Sequence, residues 1–64
     1  MNLDYTATIF YEEEILAYKQ GDNVEELYLW MLTHAHGHPG SIRGEIMELK
    51  SSTVIRKFRK SSTE

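Results

Sequence analysis

The chain has 64 residues, no cysteine and a formal net charge of −3. A chain of this length forms at most one domain and buries only about 60% of the surface that its unfolded form exposes. Because it has neither a disulfide nor a thiolate metal site, its stability has to come from a helix packed well on a sheet or from self-association.

No segment is typical of secretion or of membrane insertion. The first ten residues contain Asp4 and no basic side chain, whereas a secretory signal begins with positive charge. The longest apolar run, Leu27 to Leu32, is far shorter than the ~18 residues that span a bilayer. We therefore expect a cytoplasmic protein that has no membrane partner.

The first twenty residues predict two strands joined by a hairpin. Apolar side chains occupy every second position over residues 3–11, and Phe10 falls on the opposite face, toward water or a second surface. We expect the chain to turn at glutamates 12–14 and to continue as a strand over residues 15–20. The alternative is a short helix over residues 12–20, because carboxylates favour a helix N-terminus.

The spacing of apolar residues predicts a helix that ends near His36. Asp22 or Asn23 can cap it, and Glu25 or Glu26 follows at the spacing of a capping box. At its other end, a glycine at position 37 is expected to supply the left-handed C-terminal residue. At 100° per residue, one face of the helix carries an apolar stripe that we expect to pack on the sheet: Val24, Leu27, Tyr28, Met31, Leu32 and Ala35.

Pro39 and Gly40 interrupt regular structure, and two further strands are predicted at residues 41–49 and 54–60, around a polar turn. Ile42 and Ile46 share one face of the third strand while Met47 and Leu49 share the other, which predicts a bulge or a twist near residues 44–46. The sequence therefore predicts a single α+β domain over residues 1–60, with the order β-hairpin, α-helix, β-hairpin (ββαββ) and the helix packed on a mainly antiparallel sheet. Residues 61–64 are expected to form a frayed tail.

The charges are divided unevenly along the chain. Residues 1–32 hold seven acids and one base, and residues 33–64 hold six bases and three acids. The two halves should attract each other weakly, and they can present surfaces of opposite sign to a partner.

Three apolar side chains suggest a protein interface. Trp30 and Leu29 fall beside the core stripe of the helix, and Phe10 lies off the core face of the first strand. Large apolar residues left at a surface are favoured anchors in interfaces. Our first hypothesis is therefore a small non-enzymatic module, a regulator or inhibitor, that binds a partner protein of unknown identity or a second copy of itself. The structural alternative is that Trp30 packs over the rim of the sheet.

A basic cluster supports a second hypothesis, a small nucleic-acid-binding domain. Cations around an aromatic side chain can hold phosphates and stack a base. On a strand, alternate side chains point to opposite faces, so the cluster should be split, and the acidic net charge opposes non-specific binding. The residues of this hypothesis are Arg43, Arg56, Lys57, Phe58, Arg59 and Lys60.

His34, His36 and His38 suggest a third hypothesis, a metal-binding module, since imidazole is a common metal ligand. At a helix end, His34 and His36 point about 200° apart. The alternative is that the histidines satisfy the last helix carbonyls and the helix dipole. The glutamates at 12–14 offer no cleft for acid–base chemistry, and no nucleophile with an orienting partner is identifiable. We therefore expect neither an enzyme nor a cofactor.

Two short segments resemble a known family. Tyr5-Thr6-Ala7-Thr8-Ile9 and Gly21-Asp22-Asn23-Val24-Glu25-Glu26-Leu27 are similar to the first strand and the helix start of HicB-type antitoxin domains. In that family a short sheet leads into one helix, and the domain binds a partner toxin. The similarity covers under a quarter of the chain, and the family's longer, proline-containing strand region is missing here.

Overall fold

The computed structural model describes residues 3–60. Its elements are β1 (Tyr5–Tyr11), β2 (Glu14–Gly21), α1 (Val24–His36), β3 (Ile42–Glu48) and β4 (Thr53–Lys60). The predicted ββαββ order and α+β class are confirmed, and the helical alternative for residues 12–20 is wrong. The tail predicted at residues 61–64 lies outside the described residues. No helix within residues 3–60 is long and apolar enough to cross a membrane.

The four strands form one antiparallel sheet in the order β2-β1-β3-β4. The two central strands, β1 and β3, come from different hairpins, so the sheet brings the two halves of the chain together. The turn between β1 and β2 falls at the glutamates, as predicted, and Glu12 adopts a φ of 58°. A left-handed conformation costs an L-residue roughly 1–2 kcal/mol, which is why such positions usually hold glycine.

The core lies between the helix and the central strands. One side of the helix and the facing side of the sheet supply the buried side chains, so the predicted apolar stripe is confirmed at its centre. Leu32, which the stripe also included, is exposed. The buried residues are Ala7, Ile9, Leu27, Met31, Ala35, Ile42 and Ile46.

The helix is capped at both ends, although at one end not as predicted. At the N-terminus, Asn23 Oδ1 accepts a hydrogen bond from the backbone N–H of Glu26 at 3.1 Å, which confirms Asn23 as the cap. At the C-terminus, Gly37 has a φ of −87°, so the predicted left-handed glycine is wrong. The ammonium group of Lys60 instead donates to the carbonyl oxygens of Ala35 at 2.9 Å and His38 at 2.7 Å.

Each outer strand carries one extra residue. Leu16 in β2 and Ile55 in β4 interrupt the pairing with the neighbouring central strand. The bulge or twist predicted near residues 44–46 of β3 lies beside the register shift between Ile46 and Met47 in the pairing of β3 with β4. The pairing of β3 with β1 is continuous from Ile42 to Glu48. The irregularity near Met47 belongs to β4.

Substitution of Gly44 tests how closely the helix packs on the sheet. A Cβ at this position would contact the Phe58 ring and lie 2.9 Å from Met31 Sδ, which is closer than van der Waals contact. We expect Gly44→Ala to lower the free energy of unfolding in urea by about 1–3 kcal/mol, the usual cost of overpacking. Gly37→Ala is the control, because its Cβ would meet nothing within 4 Å. Equal stability of the two variants would contradict this packing.

Candidate functional site

One face of the sheet is not covered by the helix or by any other described element. We call it the open face. Its side chains alternate with the buried ones along β1 and β3, and cross-strand pairing places them in three rows. Read from β2 to β4, the rows are Ile15–Phe10–Arg43–Arg59, Tyr18–Thr8–Glu45–Lys57 and Gln20–Thr6–Met47–Val54.

On the β2 side of the open face, two of the three rows end in a large apolar side chain, and the third ends in Gln20. Ile15 lies opposite Phe10, and Tyr18 lies opposite Thr8 on the same face. The two β2 side chains keep 61% and 67% of their surface exposed. In a regular strand, residues three apart point to opposite faces, but the extra residue at Leu16 brings Ile15 and Tyr18 to the same one. The bulge therefore gathers the apolar surface that strict alternation would divide.

The β4 side of the open face is basic. The Arg43 guanidinium lies 4.3 Å from the centre of the Phe10 ring and 3.4 Å from the Glu45 carboxylate. Lys57 and Arg59 make no salt bridge with any residue between 3 and 60. Arg43 and Arg59 are direct cross-strand neighbours. Like charges in this arrangement destabilise a sheet, so this corner favours an anionic group from outside.

The basic cluster is split as the sequence predicted. Three of its six residues serve the fold. Arg56 lies on the helix side, 4.3 Å from the centre of the Tyr28 ring and 3.5 Å from Glu25, and Phe58 packs edge-on against Tyr28. Lys60 caps the helix, which leaves only Arg43, Lys57 and Arg59 on the open face.

The three predicted interface anchors do not share one surface. Phe10 lies on the open face, whereas Trp30 and Leu29 are on the helix, on the other side of the sheet. Trp30 is half-buried, packs against the core and lies 5.3 Å from the His34 ring. Leu29 keeps 62% of its surface exposed. The helix therefore offers Leu29 and its neighbour Leu32 as exposed apolar side chains, whereas Trp30 is partly committed to the core.

The histidines are not brought together. His34 stacks near Trp30, and the His38 ring lies 4.9 Å from the Tyr11 ring with Nδ1 2.6 Å from the Pro39 oxygen. His36 is exposed. Across residues 3–60, no three histidine or carboxylate side chains are placed to hold one metal ion. At the end of the helix, the Ala35 carbonyl accepts hydrogen bonds from Lys60 Nζ and from the backbone N–H of His38, and not from an imidazole ring.

Comparison with protein-family models, with curated proteins and with solved structures found no match. The similarity of residues 5–9 and 21–27 to HicB-type antitoxin domains gains no support from these comparisons. Function therefore has to be argued from the surface itself.

Lys60→Met tests whether this lysine fixes the end of the helix. The variant keeps most of the apolar stem and leaves two carbonyl oxygens without their charged donor. We expect the free energy of unfolding to fall by about 1–3 kcal/mol and the amide of His38 to exchange faster with deuterium. Lys57→Met is the control, because its exposed side chain makes no salt bridge within residues 3–60. Equal effects of the two substitutions would show that Lys60 does not cap the helix.

Proposed function

We propose that this protein is a non-enzymatic interaction module that binds a partner protein through the open face. The observation that carries the proposal is the apolar patch formed by the exposed side chains of Ile15 and Tyr18 and by the partly buried Phe10 beside Ile15, on a sheet face that no other described element covers. Single exposed apolar residues are normal on a protein surface, but adjoining ones mark a site of interaction.

The patch has the features of a binding surface. Its side chains stand on paired strands, so their backbone positions are fixed before a partner arrives and little conformational entropy is lost on binding. Covering each large apolar side chain contributes about 1.5–3 kcal/mol. Polar and charged residues border the patch on the β3 and β4 side and supply a rim that selects among partners.

The proposal keeps Phe10 as an anchor and moves the other contacts from the helix to β2. Trp30 contributes to the core of the domain itself, so its removal would damage the fold as well as any interface. Leu29 is exposed with Leu32 beside it, but the helix lies on the other side of the sheet from Phe10, so these side chains cannot share one contact surface with it. Ile15 and Tyr18 on β2 therefore replace Trp30 and Leu29 as the proposed anchors.

We extend the proposal to a cytoplasmic regulator or inhibitor of its partner. The lack of cysteine agrees with a reducing compartment. Self-association through the same face belongs to this interpretation as well.

Site-specific photo-crosslinking tests the proposal. A benzophenone amino acid replaces Tyr18 in one variant and Leu29 in a control variant, since both side chains are similarly exposed but lie on opposite sides of the sheet. We expect position 18 to form a specific protein adduct in the native cell and position 29 to form none. Adding Ile15→Lys should abolish the adduct, because a charge would be buried in the contact.

The control for this second substitution is Leu32→Lys on the helix, which should leave the adduct intact. Adducts only between two copies would assign the open face to self-association. Adducts from position 29 alone, or none that depends on Ile15, would contradict the proposal.

A further inference from the structure

We propose that β4 accepts an acidic, extended segment of the partner as a fifth strand of the sheet. This inference rests on the proposed function and names the chemistry of the segment that the module binds. Three features of the molecule support it: the free edge of β4, the cations on the two faces of that strand, and the cross-strand pairing of Arg43 with Arg59.

The backbone of β4 is available for strand addition over residues 56–60, which lie beyond the extra residue at Ile55 and pair with β3 in continuous register. β4 is the outermost strand on its side of the sheet and pairs only with β3 among the described residues. Its outward backbone N–H and C=O groups can therefore bond to an added strand, a recurring mode of peptide recognition. β2 has a free edge too, but β4 combines its edge with charge.

The cations of β4 match the geometry of an added strand. Lys57 and Arg59 lie two residues apart on the open face, and Arg56 lies on the helix side. Side chains of an added strand alternate in the same way and stand about 4.8 Å from β4. Carboxylates at every second position would therefore lie beside Lys57 and Arg59, where opposite charges on neighbouring strands stabilise pairing.

The corner formed by Arg43 and Arg59 gives an independent reason for an anionic occupant. Arg43 and Arg59 are cross-strand partners, so like charges stand on neighbouring strands, and within residues 3–60 only Arg43 of the two has a carboxylate partner, Glu45. Between these strands lies a shallow depression of about 410 Å³ bordered by Arg43, Glu45, Lys57 and Arg59. A carboxylate placed there would neutralise Arg59 without displacing Glu45.

The same features disfavour two other occupants. Pairing between the β4 strands of two copies of the protein would place basic side chains opposite basic ones. The edge therefore disfavours pairing with its own copy and favours an acidic strand. A nucleic acid would find only three cations on this face and could not use the strand edge. It would also approach Glu12 and its neighbours, because the β1–β2 turn lies at the same end of the sheet as Arg59.

Titration of the full chain with capped octapeptides, followed by backbone amide NMR, tests the inference. The probe peptide alternates glutamate with threonine. One comparison peptide replaces each glutamate with lysine, and another is N-methylated at alternate amides so that one edge cannot donate hydrogen bonds. With the glutamate peptide, we expect chemical-shift changes concentrated on β4 and slower hydrogen exchange of the β4 amides. The lysine peptide and the N-methylated peptide should cause no such changes and should bind at least about tenfold more weakly.

Arg59→Glu should weaken binding of the acidic peptide by about tenfold or more, and Arg59→Gln by a smaller factor. Lys19→Glu is the matched control, since it makes the same change of charge on the opposite edge strand and should leave binding unchanged. Unchanged binding to Arg59→Glu, equal binding of the N-methylated peptide, or no binding at low salt would overturn the inference. Tighter, Arg59-dependent binding of an eight-nucleotide oligothymidylate would overturn it in favour of a nucleic acid.

The experiments can reject one of the two proposals without rejecting the other. A position-18 adduct that persists while the acidic peptide does not bind would leave the open face as the interface and would reject strand addition at β4.

Discussion

The packing of one helix on the two central strands is the constraint from which the rest of the structure follows. Met31 is fully buried among the apolar side chains of β1 and β3, with Leu27 and Ala35 on either side of it along the helix. A single helix of 13 residues covers only one face of a four-stranded sheet. The other face therefore has no layer within residues 3–60, and its side chains are available to a partner.

This constraint also decides which basic residues can have a binding role. The helix packs on β1, β2 and β3, and the long side chains that β4 turns toward it reach across to contact it. Arg56 and Phe58 contact Tyr28, and Lys60 binds the end of the helix. The basic segment is thus partly structural, and only its alternate positions face the solvent on the other side of the sheet. A basic run in a sequence does not by itself define a basic surface.

The element order, the hairpin turns, the N-terminal cap and the buried stripe of the helix could be predicted because they depend on local patterns. Strand order could not, because any pairing of two hairpins is consistent with the alternation in each. The positions of the bulges were equally hidden, since Leu16 and Ile55 are ordinary strand residues and the interruption arises from pairing with β1 and β3.

The extra residue at Leu16 determines which side chains of β2 lie on the open face and so which residues form the candidate site. Strict alternation places Ile15 and Tyr18 on opposite faces, so the apolar patch could not be read from the sequence. The cap from Lys60 was missed for a related reason, since it joins residues 25 positions apart, whereas a glycine after a helix is a local signal. Contacts that depend on long-range register are those that the sequence pattern left undetermined.

The central claim is that the domain has one covered and one open sheet face, and paramagnetic solvent relaxation of methyl groups tests it most directly. A neutral gadolinium chelate is added to isotope-labelled protein at a concentration where it sediments as a monomer. The account predicts strong relaxation of the Ile15 and Val54 methyls and weak relaxation of those of Ile9 and Ile46. Equal protection of all four residues would show that the open face is covered in the free protein and would contradict the account.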